Sequence, residues 1–126
     1  MKISSYLSIF GLLGIVFGLS FFAVPELTGP LYGVPENPHT VMQARYFGST
    51  LLGVGVIYWL SRNIRDDAAI CALLKGGLFG NVGGLAISAW AAMTGMQNHL
   101  AWSSVGIYGL LTAGTLYFLA SPERRA

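Results

Sequence analysis

The amino-acid sequence predicts an all-α, polytopic membrane protein: a bundle of four transmembrane helices in a single domain, residues 1–126. Hydrophobic residues make up 54% of the chain and charged residues only 10%, whereas soluble domains contain about 25% charged residues. The apolar residues form four long runs separated by short polar segments. Each run is long enough to cross a hydrocarbon core of ~30 Å as an α-helix.

The first predicted helix covers about residues 3–24 and follows Lys2. Its apolar run exceeds the apolar core of a signal peptide, about 7–15 residues, so we expect it to be retained rather than cleaved. Residues 25–40 contain four of the five prolines. Because proline removes backbone donors and breaks helices, this segment is predicted to be a loop on the outer side. Asn37 before Pro38 is typical of the start of the next helix.

The second, third and fourth helices are predicted at about residues 41–60, 68–93 and 100–119. Residues 61–67 form a charged turn that cannot lie in hydrocarbon. The third helix is rich in small residues and ends at a polar turn, residues 94–99. The predicted bundle therefore has one long connection and two short ones.

The positive charges predict the orientation of the helices, because lysine and arginine in short flanks stay on the cytoplasmic side. Five basic residues lie at one end of the predicted bundle, whereas Arg45 lies at the other. Lys75 is close enough to the first end for its amine to reach that surface. Both termini are therefore expected in the cytoplasm (N-in/C-in). The five residues are Lys2, Arg62, Arg65, Arg124 and Arg125.

Glycines inside the helices predict close helix packing, since small residues let membrane helices approach each other. Gly76, Gly80 and Gly84 recur every four residues and form a groove on the third helix. Two interpretations remain open: the groove packs a helix of the same chain, or it forms a homo-oligomer. Weaker matching surfaces are predicted at Gly14 with Gly18, Ala44 with Gly48, and Gly106 with Gly109.

Polar groups at membrane depth are costly, so each one is a candidate functional residue. Asn81 lies near the middle of the third helix and needs hydrogen-bond partners. It either joins helices or, with Gly80, contacts a lipophilic ligand. Arg45 either anchors its helix at the interface or binds a carboxylate, phosphate or enolate oxygen.

His39 and His99 both fall in predicted outer connections, where a titratable pair near Arg45 would suit acid–base catalysis. The alternative is that both simply lie at the interface. Their positions do not match a metal or haem motif, so no metal site is predicted. Cys71 has no second cysteine and is interpreted as a small core residue.

Several function classes are disfavoured by what the predicted helices lack. None contains an Asp or Glu, the group that small proton-coupled drug exporters need in the membrane. Too few polar positions are available to line a solute channel. The basic residues lie at the ends of the apolar runs rather than in a stripe, which argues against nucleic-acid binding. The sequence does not indicate the identity of any cofactor.

Residues 44–48 (Ala-Arg-Tyr-Phe-Gly), continuing to residues 59–62 (Trp-Leu-Ser-Arg), resemble a pattern in small bacterial four-helix membrane proteins of the DoxX-like and related families. The likeness extends to the proline-containing loop and to Gly80 with Asn81. It implies a four-helix architecture, directs attention to Arg45, Gly48 and Asn81, and suggests a place beside a larger membrane complex. Together with the charge bias, the resemblance implies a multi-pass protein of a bacterial cell inner membrane.

These observations favour a non-catalytic membrane protein that serves as an accessory or scaffold subunit or binds a lipophilic molecule beside Gly80 and Asn81. The alternative is a membrane-embedded isomerase, cyclase or oxygenase acting on a lipophilic substrate. In that alternative Arg45 is the oxyanion partner, His39 or His99 the acid–base group, and Asn81 an orienting group. A pocket that joins these residues would distinguish the two hypotheses.

Overall fold

The computed structural model describes all 126 residues and contains helices but no β-strands, which confirms the predicted all-α class. Four helices are long and one is short, and the chain ends in a single-turn 3-10 helix. The elements are α1 (Ile3–Ala23), α2 (Pro25–Leu31), α3 (Pro38–Ser61), α4 (Asp67–Thr94), α5 (Ala101–Leu119) and the 3-10 helix (Pro122–Arg125).

The predicted loop over residues 25–40 is wrong in its first half, which forms α2. Pro25 occupies the first turn of this helix, where its missing N–H costs nothing and its φ angle already suits a helix. Glu26 adds a negative charge at the positive end of the helix dipole. The chain leaves α2 through Gly33, whose φ of 76° is in the left-handed region that favours glycine.

α3 begins at Pro38, about one turn before the predicted start at residue 41. The Asn37 side chain accepts hydrogen bonds from the backbone N–H groups of His39 (2.9 Å) and Thr40 (3.0 Å). In return, the Thr40 hydroxyl accepts a bond from the Asn37 N–H at 3.0 Å. This reciprocal capping box stabilises the first turn of α3, which periodicity of apolar residues alone does not reveal.

α1 and α3 run antiparallel and form the most closely packed helix pair. Their backbones nearly touch at glycines: a Cβ at Gly14 would lie 2.6 Å from the Gly55 Cα, and one at Gly11 would lie 2.6 Å from the Trp59 backbone nitrogen. No larger residue fits at these positions without separating the helices. The expected packing role of Gly14, Gly18 and Gly48 is thus found between α1 and α3, with Gly11 and Gly55 added.

α4 and α5 form the second antiparallel pair, and it meets the first pair mainly at one end. We call this the terminal end, because both chain termini lie there. There the Tyr6 and Phe118 rings lie 5.2 Å apart, joining α1 to α5. Leu7 and Leu74 are fully buried in the same core. The hydrophobic core of the molecule is therefore concentrated at the terminal end.

The C-terminal 3-10 helix is fastened to the start of α4. The Arg125 guanidinium donates two hydrogen bonds to the Asp67 carboxylate, at 2.7 and 3.1 Å. Arg125 also donates to the Phe118 backbone carbonyl at 2.8 Å. The last residues of the chain therefore form an ordered connection between α5 and α4.

We call the opposite end of the bundle the distal end. There, the segment between α2 and α3 contacts the turn between α4 and α5. The Asn98 backbone N–H donates to the Tyr32 carbonyl at 3.0 Å, and the Asn98 side chain donates to the Leu31 carbonyl at 2.8 Å. The α4–α5 turn is thus held against the segment after α2. The long helices are connected at both ends of the bundle.

Two helices, α1 and α4, are long and apolar enough by length and composition to cross a membrane. The outside of the molecule is also strongly apolar. Phe79 is 83% exposed and Leu110 76% exposed, and many other large apolar side chains along the long helices are similarly uncovered. Only 23 of the 126 residues are buried.

Candidate functional site

A cavity of about 830 Å³ separates the two helix pairs. All four long helices contribute to its walls, but α3 and α4 scarcely contact each other. Ile57 of α3 and Ile87 of α4 both line the cavity, and they are 54% and 67% exposed. The cavity therefore opens sideways through the gap between α3 and α4.

The wall formed by α1 and α3 is mostly apolar and aromatic. At the terminal end, Phe10 stacks on Tyr58 with ring centroids 3.8 Å apart. Nearer the distal end, Phe21 and Phe47 meet edge to face at 5.2 Å. The Tyr58 hydroxyl donates to the Leu73 carbonyl of α4 at 2.9 Å, which closes the gap between α3 and α4 at the terminal end.

The α4 wall is formed largely by glycine backbone. Apart from the local backbone of α4 itself, no atom lies within 4 Å of the position that a Cβ would take at Gly76, Gly80 or Gly83. All three line the cavity, so the absent side chains leave space in it. Gly84 differs, because the Tyr108 ring of α5 packs directly over it.

This geometry corrects the interpretation that the groove on the third helix closely packs a helix of the same chain. Gly76 and Gly80 face open space, and Gly84 is covered by a side chain rather than by a helix backbone. The close packing occurs instead between α1 and α3. The Tyr108 ring therefore already covers the Gly84 part of this face. A homo-oligomer through the Gly76/Gly80/Gly84 face stays a prediction.

Asn81 is the buried polar residue of this wall, with only 3% of its surface exposed. Its Nδ2 donates to the Thr115 hydroxyl of α5 at 3.4 Å. Thr115 lies 2.6 Å from the Tyr6 hydroxyl, which donates to the Leu111 carbonyl at 2.7 Å. These bonds link α4, α5 and α1 beside the cavity.

Arg45 lies at the distal end and does not line the cavity. Its guanidinium binds the Glu26 carboxylate at 3.0 Å and the Phe22 carbonyl at 3.4 Å, with both charged side chains partly exposed. The pKa of Glu26 is below its usual value. The main cause is a hydrogen bond from its own backbone N–H, and the Arg45 hydrogen bond and charge lower it further against an opposing effect of burial.

His39 and His99 are both exposed side chains of the distal end. His39 borders a smaller pocket of about 350 Å³ together with Glu36 and Gln43, whereas His99 lines neither cavity. Asn81 and Gly80 thus belong to the large cavity, and the structure does not bring Arg45, His39 or His99 into it. No group of three or more His, Cys, Asp or Glu side chains is arranged to hold a metal ion.

Sequence reasoning missed Thr115 and Tyr6, the partners that orient Asn81. Thr115 was open to prediction, because a deep amide requires a hydrogen-bond partner and the fourth helix has few polar residues. Tyr6 lies in the first turns of α1 and carries no sequence signal of its own. Its role depends on the position of α1 beside α5.

Comparisons with protein-family models, curated proteins and solved structures found no match. The geometry of the cavity is therefore the basis of the functional proposal.

Proposed function

We propose that this chain is a four-span protein of the bacterial inner membrane that binds a lipophilic molecule in the cavity between its helix pairs. The observation that carries the proposal is the sideways opening between α3 and α4. In a bilayer this opening would face the acyl chains, so an apolar molecule would enter from the lipid without passing through water.

The exposed apolar surface supports four membrane spans. In α4, only 17% of the most apolar 18-residue stretch is buried, whereas a core helix of a water-soluble protein is mostly buried. α3 and α5 lie alongside α1 and α4 and contain 24 and 19 residues. Glycine, serine, threonine and tyrosine residues lower the hydropathy of both helices, and Gln43 and Arg45 lower that of α3 further. At about 1.5 Å per residue, both helices nevertheless reach across most or all of a ~30 Å core.

The charge distribution supports a cytoplasmic location for both termini. The basic residues of the terminal end outnumber Arg45 at the distal end five to one. Impermeant labelling of single cysteines at Glu36 and Asn63, in a Cys71→Ala background, tests this orientation. Glu36 avoids the capping residue Asn37, and labelling of both positions from the same side would contradict the topology.

The cavity itself supports a lipophilic ligand. Its volume of about 830 Å³ lies within the range of about 300–1,000 Å³ that is typical of small-molecule sites. Its walls are mostly apolar, with a few polar groups such as Asn81 and Ser88. This composition is typical of sites that enclose an apolar molecule and orient it through one or two hydrogen bonds.

The other hypotheses have less support. An enzyme built on Arg45, His39 and His99 lacks a shared pocket with Asn81, and Arg45 already has Glu26 as a partner. An accessory role in a larger membrane complex is compatible with ligand binding. Kinship with the DoxX-like families stays a proposal that rests on the helix count and on residues 44–48.

Native mass spectrometry of the protein purified in mild detergent tests the proposal. We expect a retained lipophilic molecule, visible as a mass above that of the polypeptide. Gly80→Leu should reduce its binding, because the new side chain extends into the cavity. Overpacking of about 1–3 kcal/mol corresponds to binding that is weaker by roughly 5- to 150-fold.

Gly106→Leu is the matched control. Gly106 is also a mid-helix glycine with open space around its Cβ position, but it does not line the cavity. This variant should retain the ligand like the wild type. A wild-type protein that is purified without any lipophilic ligand and binds none on addition would contradict the proposal.

A further inference from the structure

The direction of the hydrogen bonds beside the cavity fixes the orientation of the Asn81 amide. The single proton of the Tyr6 hydroxyl goes to the Leu111 carbonyl at 2.7 Å. Thr115 must therefore be the donor in its 2.6 Å contact with Tyr6. Since the Thr115 proton is used there, its oxygen accepts from Asn81, and Asn81 has to present Nδ2 to Thr115.

This orientation leaves the Asn81 Oδ1 without a partner. No group of the chain donates a hydrogen bond to it, and although only 3% of the residue is exposed, the oxygen itself is not fully enclosed and the residue borders the cavity. An amide oxygen in apolar surroundings without a hydrogen bond is costly. The cavity is the side from which a donor would reach this oxygen.

Three of the other hydroxyl groups of the cavity walls also offer acceptors rather than donors. Ser88 donates to the Gly84 carbonyl at 2.7 Å, Thr50 to the Tyr46 carbonyl at 3.1 Å, and Tyr58 to the Leu73 carbonyl at 2.9 Å. Their protons are thus directed into the backbone, and their lone pairs remain. Ser88 lies seven residues after Asn81, which places both on the same face of α4.

On the basis of the proposed function, we infer that the ligand is a lipophilic alcohol whose hydroxyl group donates a hydrogen bond to the Asn81 Oδ1. The hydroxyl supplies the donor that the Asn81 oxygen lacks, while the apolar body of the ligand occupies the space beside Gly76, Gly80 and Gly83. Asn81 is then the residue that distinguishes an alcohol from a hydrocarbon or an ether of the same size.

Competition between two matched probes tests this inference. The purified protein is mixed with equal amounts of 1-hexadecanol and its methyl ether, and native mass spectrometry measures the ratio of the two complexes. The ether retains the chain and the oxygen but has no proton to donate. A net hydrogen bond favours the alcohol by about 2- to 10-fold, and Asn81→Leu should reduce this ratio to about one.

The outcomes separate this inference from the proposed function. If the wild type binds both probes equally and Gly80→Leu excludes both, the cavity binds lipophiles but the hydroxyl inference is wrong. A preference that persists in Asn81→Leu would also overturn the inference. If neither probe binds, both proposals fail. Equal binding of the two probes by the wild type overturns the inference even if Asn81→Leu does not fold, and Gly106→Leu is the control that should retain the preference.

Discussion

Asn81 and Arg45 show how the surroundings decide what a polar residue does in an apolar helix. Asn81 is buried and directs its amide nitrogen to Thr115, while its oxygen has no partner in the chain. Arg45 is partly exposed and is held by Glu26. A mostly buried residue whose oxygen has no partner in the chain is the better candidate for ligand binding, because the ligand then supplies the missing hydrogen bond.

The Arg45–Glu26 pair predicts a specific pH dependence. The folded state holds the pKa of Glu26 below its ordinary value of 4.5. The ionised Glu26 carboxylate, bound by its own backbone N–H and by Arg45, therefore contributes stability above that value, and the contribution is lost as the pH falls through the lower folded-state pKa. A titration of the Glu26 carboxyl carbon by NMR should show the depressed pKa directly.

Arg45→Gln should raise the pKa of Glu26 only part of the way towards 4.5. The reason is that the largest cause of the shift, the hydrogen bond from the Glu26 backbone N–H, remains in this variant. Arg62→Gln is the control, since Arg62 lies at the other end of α3 and should leave the Glu26 pKa unchanged. A full return to 4.5 in Arg45→Gln would mean that Arg45 alone causes the shift.

At the scale of helices, glycine has two opposite roles in this molecule. Between α1 and α3, Gly14 and Gly55 bring two backbones into contact. On α4, Gly76 and Gly80 leave space that no side chain fills. Glycine therefore allows close backbone packing where another helix lies opposite, and it leaves space in the cavity wall where none does.

Gly14→Ala should destabilise the protein, because the new Cβ would meet the Gly55 backbone at 2.6 Å and the helices would have to separate. Overpacking of this kind costs about 1–3 kcal/mol in the free energy of unfolding. Gly53→Ala is the matched control on α3, where no atom lies within 4 Å of the new Cβ. Denaturant unfolding of both variants in mixed micelles measures the difference, and equal stabilities would contradict the packing described for α1 and α3.

Sequence patterns predicted the existence of the four long helices, because each contains an apolar run, but not the helical structure of residues 25–31. That segment is short and proline-rich, and its helix depends on where Pro25 and Glu26 fall in the first turn. The every-four spacing of Gly76, Gly80 and Gly84 identified a smooth helix face. It did not show whether a helix or an open space lies opposite, because that depends on how the two helix pairs are joined.

At the scale of the whole molecule, the two helix pairs are joined firmly at the terminal end and remain apart beside the cavity. Tyr6 and Phe118 connect α1 to α5, while α3 and α4 border an opening. Asn81 was predicted as a candidate from its depth alone, since a lone amide in an apolar helix is conspicuous. The cavity beside it was not predictable, because it forms where α3 and α4 do not pack against each other, and the sequence does not show which helices pack together.

Photolabelling in membranes shows whether a lipophilic molecule enters this cavity from the bilayer. The probe is a hexadecanol analogue that carries a diazirine in its chain, and mass spectrometry locates the labelled residues. We predict labelling of the cavity-lining residues Leu13 and Leu111 in the wild type and in Gly106→Leu, with strong loss in Gly80→Leu. Labelling confined to the outward-facing Phe79 and Leu110, and unchanged by Gly80→Leu, would contradict the claim.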